Sequence, residues 1–467
     1  MSRTAPGPEG HLLLGNAREF RDHPLDLMMR CRRQYGDVVR LRMGPVALHL
    51  VFNPEHVGRV LEGATFGRSD VASMFEPLLG GSMIIADGEP WRSQRQALAP
   101  TFARERLKQL AGRFREAAVD LVHRWEEALR RGLELDAQQE ITRYALETMA
   151  IYLVGRRFDA QESADISRAW YTCLRSMADR LSAMVPLPAW LPTPSMRRLL
   201  AAEQDISRII LHHVQERRQE LKPEDRGDFL SVLVHTPTPE GRKLTDAEIL
   251  AEAKGLFLAG FDTVASAMSW TLHACAAHPG VQHRLREEVR AVARDASPLG
   301  GAVADMPYFR RVFNEAVRLN PPLWIVDRKA QEDVELGGFH IPKGSNIITC
   351  PYVTHRDPAY WEDPLVFDPD RFLPARSEGR PRYAHFPFGG GRMKCIGVGM
   401  AMMEAQILFT ELLSRFRVEL SPWRPVELEP TLVLRARAGL HLKLSLAGAE
   451  GPPITTSSTV PPLGAIA

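Results

Sequence analysis

The chain has 467 residues, 45% of them hydrophobic and 25% charged, which suits a globular protein with a sizeable core. A net charge of +2 excludes an overall electrostatic pull toward nucleic acid or an anionic membrane surface. The five cysteines, at 31, 173, 275, 350 and 395, are odd in number, far apart and free of CxxC spacing, so neither a disulfide scaffold nor a zinc site is expected and a reducing cytosol fits.

The N-terminus lacks the apolar h-region of a signal peptide, and no stretch approaches the roughly 18 apolar residues needed to span a bilayer. It opens on Pro6-Gly7-Pro8-Glu9-Gly10 and Leu12-Leu13-Leu14-Gly15-Asn16, an arm over residues 1–18. Residues 19–447 are expected to form one domain, because no Ser/Gly linker or low-complexity run divides them. Its β-rich portion is expected near residues 37–52, 324–350 and 426–446, in an otherwise mainly helical (α+β) fold. Trp91-Arg92-Ser93-Gln94-Arg95 places an indole and a guanidinium one helical turn apart, two donors suited to carboxylates, though the spacing alone is unremarkable. Pro186 and Leu187 to Pro194 hold too many prolines for continuous helix, so a loop is expected there, followed by helix over Ser195 to Glu220.

Leu244-Thr245-Asp246-Ala247-Glu248-Ile249 carries a full helix start: Thr245 as N-cap, Glu248 closing a capping box, and Leu244 facing Ile249 as a hydrophobic staple. Nothing stops the pattern before His278-Pro279-Gly280, so the spacing predicts one helix of about 32 residues, roughly 48 Å long. Ala259-Gly260-Phe261-Asp262-Thr263 breaks the local rules in its middle. Gly260 costs about 1 kcal/mol against alanine, and Thr263 can bond back to the carbonyl of Ala259. Taken alone, a mid-helix threonine satisfies itself and an aspartate is solvated.

Glu315 and Arg318 stand at i and i+3 on one helix face, ended by Pro321-Pro322; alone they read as a surface ion pair of little weight. Pro369-Asp370-Arg371-Phe372 follows. Then comes Phe386-Pro387-Phe388-Gly389-Gly390-Gly391-Arg392-Met393-Lys394-Cys395-Ile396-Gly397, a glycine-rich loop delivering one cysteine to the start of a helix. A helix N-terminus, backbone N–H groups and the cations Arg392 and Lys394 all favour thiolate. A lone cysteine in a tight turn is more often an inert core residue; this setting favours a ligand. The last residues, 448–467, are rich in Pro, Ser, Thr and Gly and read as a disordered tail.

Phe388, Gly389, Gly391, Cys395 and Gly397 fall on the pattern of the haem-binding loop of the cytochrome P450 family, which the chain resembles from its proline-rich arm to Gly439-Leu440. The resemblance implies haem b, with Cys395 as axial thiolate pushing electron density to the iron. It implies that Thr263 hydrogen-bonds dioxygen, that Asp262 helps bring in protons, and that Ala259 and Gly260 lie over the haem. Glu315, Arg318 and Arg371 would form a buried charged support for the cysteine loop, with Asp370 where the family more often has Glu. Trp91, Arg95 and Arg328 would hold the propionates, with Phe388, Gly389, Arg392 and Gly397 completing the cofactor site. One position departs from the family: Met393 replaces the usual Arg or His two before the cysteine, and a thioether cannot donate. Arg392 turning toward the propionates, together with the other cations, is the expected compensation.

Family topology places substrate contacts at Phe75, Leu79, Ile84, Ile85, Leu256, Ala259, Leu323, Trp324, Ile325 and Val326, with about half of such apolar positions expected to be plain core. This apolar set suits a terpenoid, steroid or fatty-acyl substrate, as in secondary metabolism. The resulting expectation is a soluble, bacterial-type, monomeric and cytoplasmic monooxygenase inserting one oxygen atom from O2. Its electrons would come from a separate ferredoxin and ferredoxin reductase, the ferredoxin docking where Arg92, Arg392 and Lys394 present positive charge. Two alternatives remain: a peroxide-driven or isomerising haem-thiolate enzyme, and a haem-binding sensor or carrier without turnover.

Overall fold

The capping box forms as the sequence predicts: Glu248 N–H donates to Thr245 Oγ1 at 3.3 Å, and Thr245 N–H donates to the Glu248 carboxylate at 2.8 Å. From it the central helix runs unbroken over Asp246–Ala277, 32 residues, until His278 caps it and Pro279 opens the next helix, Pro279–Arg294. Both are features of a computed structural model that describes residues 3–181, 191, 193–219, 227–235, 241–294 and 305–448. The central helix is apolar on nearly every side, as a helix enclosed by others must be.

It is wrapped by the helices Ala137–Val154, Pro194–Gln219, Pro307–Leu319 and Val398–Arg415. Thr263 Oγ1 donates to the Ala259 carbonyl at 2.7 Å, the back-bond its spacing predicts. A Cβ at Gly260 would lie 1.9 Å from Cε of Met149, the movable end of a side chain on the crossing helix Ala137–Val154. The helix pair Ala160–Leu181 and Pro194–Gln219 packs beside it, and the second begins one residue from the expected start. Most of the proline-rich loop between them, and the tail from 449, lie outside the described residues.

The expected β-rich portion is a five-stranded sheet ordered Val38–Met43, Val46–Val51, Asn346–Thr349, Val326–Ala330 and Phe66–Gly67. The second and third strands pair parallel, Leu50 opposite Ile348; the others pair antiparallel. A second sheet joins Leu135–Asp136, His441–Leu446 and Phe416–Leu420. The arm does not stand apart from the body. Arg40 N–H donates to Pro6 O at 2.8 Å, His340 N–H to Arg3 O at 2.9 Å, and Ala5 is buried in the sheet's core.

Four expected pocket residues lie beside the sheet. Trp324 is buried in the apolar cluster between the sheet and the helix Pro24–Tyr35, its indole N–H donating to Thr431 O at 2.9 Å, and Ile325 packs on the same cluster. Val326 packs on the sheet's other core, and Leu323 is 42% exposed at the surface. An apolar run leaving a helix feeds whichever core its strand covers, and here that is the sheet's.

Candidate active site

The loop before Cys395 is built against the opposite end of the chain. Gly389 and Gly391 take φ of +67° and +61°, left-handed values that side chains resist. Gly391 is also wedged so tightly that a Cβ would meet Leu61 O at 2.1 Å, while one at Gly390 would meet the Tyr383 ring at 2.3 Å. Tyr383 ties the two segments together, its hydroxyl donating to Glu62 at 2.6 Å and accepting from Gly391 N–H at 3.2 Å. Cys395 N–H donates to Phe388 O at 3.0 Å, and the Phe388 ring stacks on Phe313 with an interplanar angle of 7°.

Phe313 lies on the helix Pro307–Leu319, which also supplies the buried charges. Arg318 meets Glu315 through two bonds, 2.6 and 2.9 Å, and Arg371 Nε donates to Glu315 Oε1 at 2.9 Å. The remaining donors are used: Arg318 also bonds the carbonyls of His355 and Pro364 at 2.7 Å, and Arg371 those of Glu362 at 2.7 Å and Val366 at 2.9 Å. Glu315 and Arg318 have no exposed surface, so the surface-pair reading fails; full pairing is what makes such burial tolerable. Asp370 is not in the triad and pairs outward with Arg284 at 2.9 Å.

Among the five cysteines only Cys395 is accessible. Burial pushes Cys31 up to about 11 and Cys173, Cys275 and Cys350 to about 12, so they stay protonated. The Cys395 thiol is also raised, by desolvation, against the opposing pull of Gly397 N–H, Arg95 and Lys394. A sulfur that is accessible and yet desolvated faces interior space rather than bulk water. On the central helix between Ala251 and Ala277, only Leu258, Ala259, Gly260, Thr263 and Val264 keep accessible surface. Leu258 and Val264 of that strip and the residues flanking the thiol, Met393 and Ile396, pack against one continuous apolar core.

Asp262, beside the strip, is buried and ion-paired with Arg435 from the strand Leu434–Ala436. Burial pushes its carboxyl up, and Arg435 pulls it part of the way back. Nothing in the local sequence signals Arg435.

Along another edge guanidinium outnumbers carboxylate. Phe66 pairs with Ala330 and Gly67 with Lys329, and continuing that register puts Arg68 opposite Arg328. Both arginines are desolvated, Arg68 down to about 10, and with Arg392 they share only Asp87 and Asp327. Arg68 was not foreseen; the strand pairing that exposes it is visible only in three dimensions. Arg392 is turned inward, its Nη2 donating to Phe66 O at 3.2 Å and to Asp87 at 3.4 Å, so it presents no charge to a partner; Lys394 is exposed and does. Arg95 and the Trp91 indole N–H have no hydrogen-bond or ion-pair partner among the described residues. An accessible desolvated thiol, a half-accessible helix strip and spare donors at Trp91 and Arg95 form the donor set that a flat iron porphyrin with two carboxylates fits.

Of the foreseen substrate residues, Phe75, Ile84 and Ile85 are half-buried against the core, and a Cβ at Gly255 would lie 3.2 Å from Ile84 Cγ1. Gly255, Ala259 and Thr263 are spaced four apart on one face, so Ile84 sits one turn before the accessible strip. Leu79 and Leu256 are buried core. Trp170 is fully buried too, stacked on Phe257 at 5.1 Å, whereas Trp190 lies outside the described residues.

The chain is 31% identical over 425 residues to the cyclooctat-9-en-7-ol 5-monooxygenase of Streptomyces melanosporofaciens, covering 90% of each. It is also 31% identical to human cytochrome P450 4B1, covering 95% of this chain and 90% of that one. Its fold matches that of the retinoic acid bound cyanobacterial CYP120A1 with a TM-score of 0.85 at 24% identity, covering 96% of this chain and all of the other. With residues 5–444 matching the Cytochrome P450 family model as well, the chain belongs to the cytochrome P450 family, oxygen-incorporating oxidoreductases whose cofactor is haem b.

Proposed function

We propose that this enzyme inserts one atom of O2 into a terpenoid, steroid or fatty-acyl-like molecule, with electrons from a separate ferredoxin and its reductase. The observation that carries the reading is the accessible, desolvated Cys395 thiol, sharing one core with the half-accessible strip around Thr263. Haem b, when bound, supplies the oxygen-activating redox chemistry. Cys395 Sγ would ligate its iron, and Gly397 N–H, Arg95 and Lys394 favour the thiolate form. Trp91, Arg95, Arg328 and Arg68 would hold its carboxylates, which would compensate for Met393. Thr263 Oγ1, anchored by its bond to Ala259 O, holds and passes a proton, and Asp262 resupplies it while Arg435 keeps that carboxylate in place. Phe75, Ile84, Ile85 and Ala259 exclude water on the substrate side.

A hydrophobic substrate is supported by the apolar character of those residues, and the terpenoid option by the name of the Streptomyces relative. Lys394 gives an acidic ferredoxin a point of attraction close to the thiolate. A reducing cytoplasm is supported by five cysteines without a disulfide. Residues 19–447 act as one haem domain, with the arm laid along its sheet. Among the described residues no helix is long and apolar enough to cross a membrane.

The test is the visible spectrum of the dithionite-reduced protein under carbon monoxide. A strongly red-shifted Soret band is expected, and Cys395→Ser should retain a haem spectrum without that shift. Haem bound with no red shift in the unaltered protein would overturn the thiolate assignment.

A further inference from the structure

Glu252 is a buried carboxylate on the central helix for which the reaction has no use. It is 4% exposed and stands three residues before Gly255. Both its oxygens accept from Met83 N–H, at 3.1 and 3.2 Å, and Ser82 Oγ donates to it at 3.5 Å. Ser82 and Met83 are themselves buried, and Ser82 presses so closely on the helix that a Cβ at Gly255 would meet its Oγ at 1.9 Å. The residues that follow, Ile84 and Ile85, are the half-buried apolar pair beside the accessible strip. Two turns of loop are thereby fastened to the helix through one carboxylate and one glycine.

We propose that Glu252 is a positioning residue: it latches the 82–86 segment onto the central helix and so fixes the apolar wall through which a ligand reaches the site. The latch is specific because a buried backbone N–H has a single acceptor to turn to. Gly255 lets the segment come close enough for the bond, and Glu252 supplies an acceptor that alanine cannot. Loss of the carboxylate leaves Met83 N–H buried without a partner, which favours local opening of the segment to water. Lys254, two residues on, makes the corresponding grip on the other side, pairing with Glu203 of the helix Pro194–Gln219. The proposal rests on the reading that Ile84 and Ile85 face the substrate.

The test uses the haem-loaded protein, its Glu252→Ala and Glu252→Gln variants, and 4-phenylimidazole as an iron-binding probe. Hydrogen–deuterium exchange at the Met83 amide reads the latch, and the rate at which the probe shifts the Soret band reads access. Glu252→Ala is expected to speed exchange at Met83 about tenfold, the effect of losing one buried hydrogen bond, and to speed probe entry several-fold. Glu252→Gln, which keeps an acceptor oxygen, is expected to restore both toward the unaltered rates. Unchanged exchange in Glu252→Ala would overturn the latch. Faster exchange with unchanged probe entry would overturn the role in access, and would locate the error in the assignment of Ile84 and Ile85 rather than in the bond.

Discussion

The two faces of the proposed haem site are built on opposite principles. On the thiolate side, Glu315, Arg318 and Arg371 are buried with their donors directed to a carboxylate or to carbonyls, and the loop they underlie is wedged at Gly390 and Gly391 with no room for a methyl group. On the oxygen side the buried charges are few, single and perturbed: Asp262 has Arg435, Glu252 has two donors from a loop, and the helix between them keeps a strip of accessible surface. A metal ligand must stay at one distance, whereas a substrate wall and a proton donor must move. Full pairing suits the first task, and partial pairing the second.

The contrast predicts unequal costs. Glu315→Ala strands two buried guanidinium groups and is expected to destabilise the fold by about 3–5 kcal/mol, read by urea unfolding, with haem lost during purification. A variant of ordinary stability that keeps its haem would break the comparison. Arg435→Ala removes one partner from a pair whose arginine is partly exposed, so about 2 kcal/mol is expected. Its clearer signature is functional. Without the guanidinium the Asp262 carboxyl moves further up, so the limb of the turnover profile that this proton donor sets should move to higher pH. A profile that stays where it was would mean that Asp262 does not handle the protons.

The smallest effect per pH unit probes an exception on the thiolate side. Glu404, on the helix that follows Cys395, is buried without a cation, and burial raises its carboxyl to about 8 from an ordinary 4.5. Folded protein therefore holds a proton that unfolded chain has released. Between those two values stability should fall as pH rises, by at most about 1.4 kcal/mol per pH unit from this group. Glu404→Gln should flatten that slope in thermal melts taken from pH 5 to pH 8 (roughly the window set by the two pKa values). An unchanged slope would assign it to other groups, of which Glu252, raised to about 7, is the first candidate.

What could be read from the chain beforehand follows the range of the interactions. Thr245 and Glu248 are three residues apart, as are Glu315 and Arg318, and the cysteine loop is a contiguous string; each was legible because its partners are neighbours. Arg435 and Asp262 are 173 positions apart, and Glu252 and Met83 are 169, so nothing local could join them. Arg68 was hidden in the same way, by a strand pairing. Trp324 shows a different limit. Its apolar surroundings foretold burial but not which of two cores would receive it. Gly260 breaks the local helix rule, and the contact that a side chain there would meet, Cε of Met149, comes from another helix and is equally hidden in the sequence.

The wedge of Gly391 against Leu61 also constrains synthesis. Its two halves are 330 positions apart, and Tyr383 binds the same early segment through Glu62. At roughly 5–20 residues per second a ribosome needs on the order of tens of seconds to travel from one to the other. During that interval the nascent chain carries a receptor for the loop but no loop, so the seat of the cysteine closes only after the long intervening stretch of chain has been made.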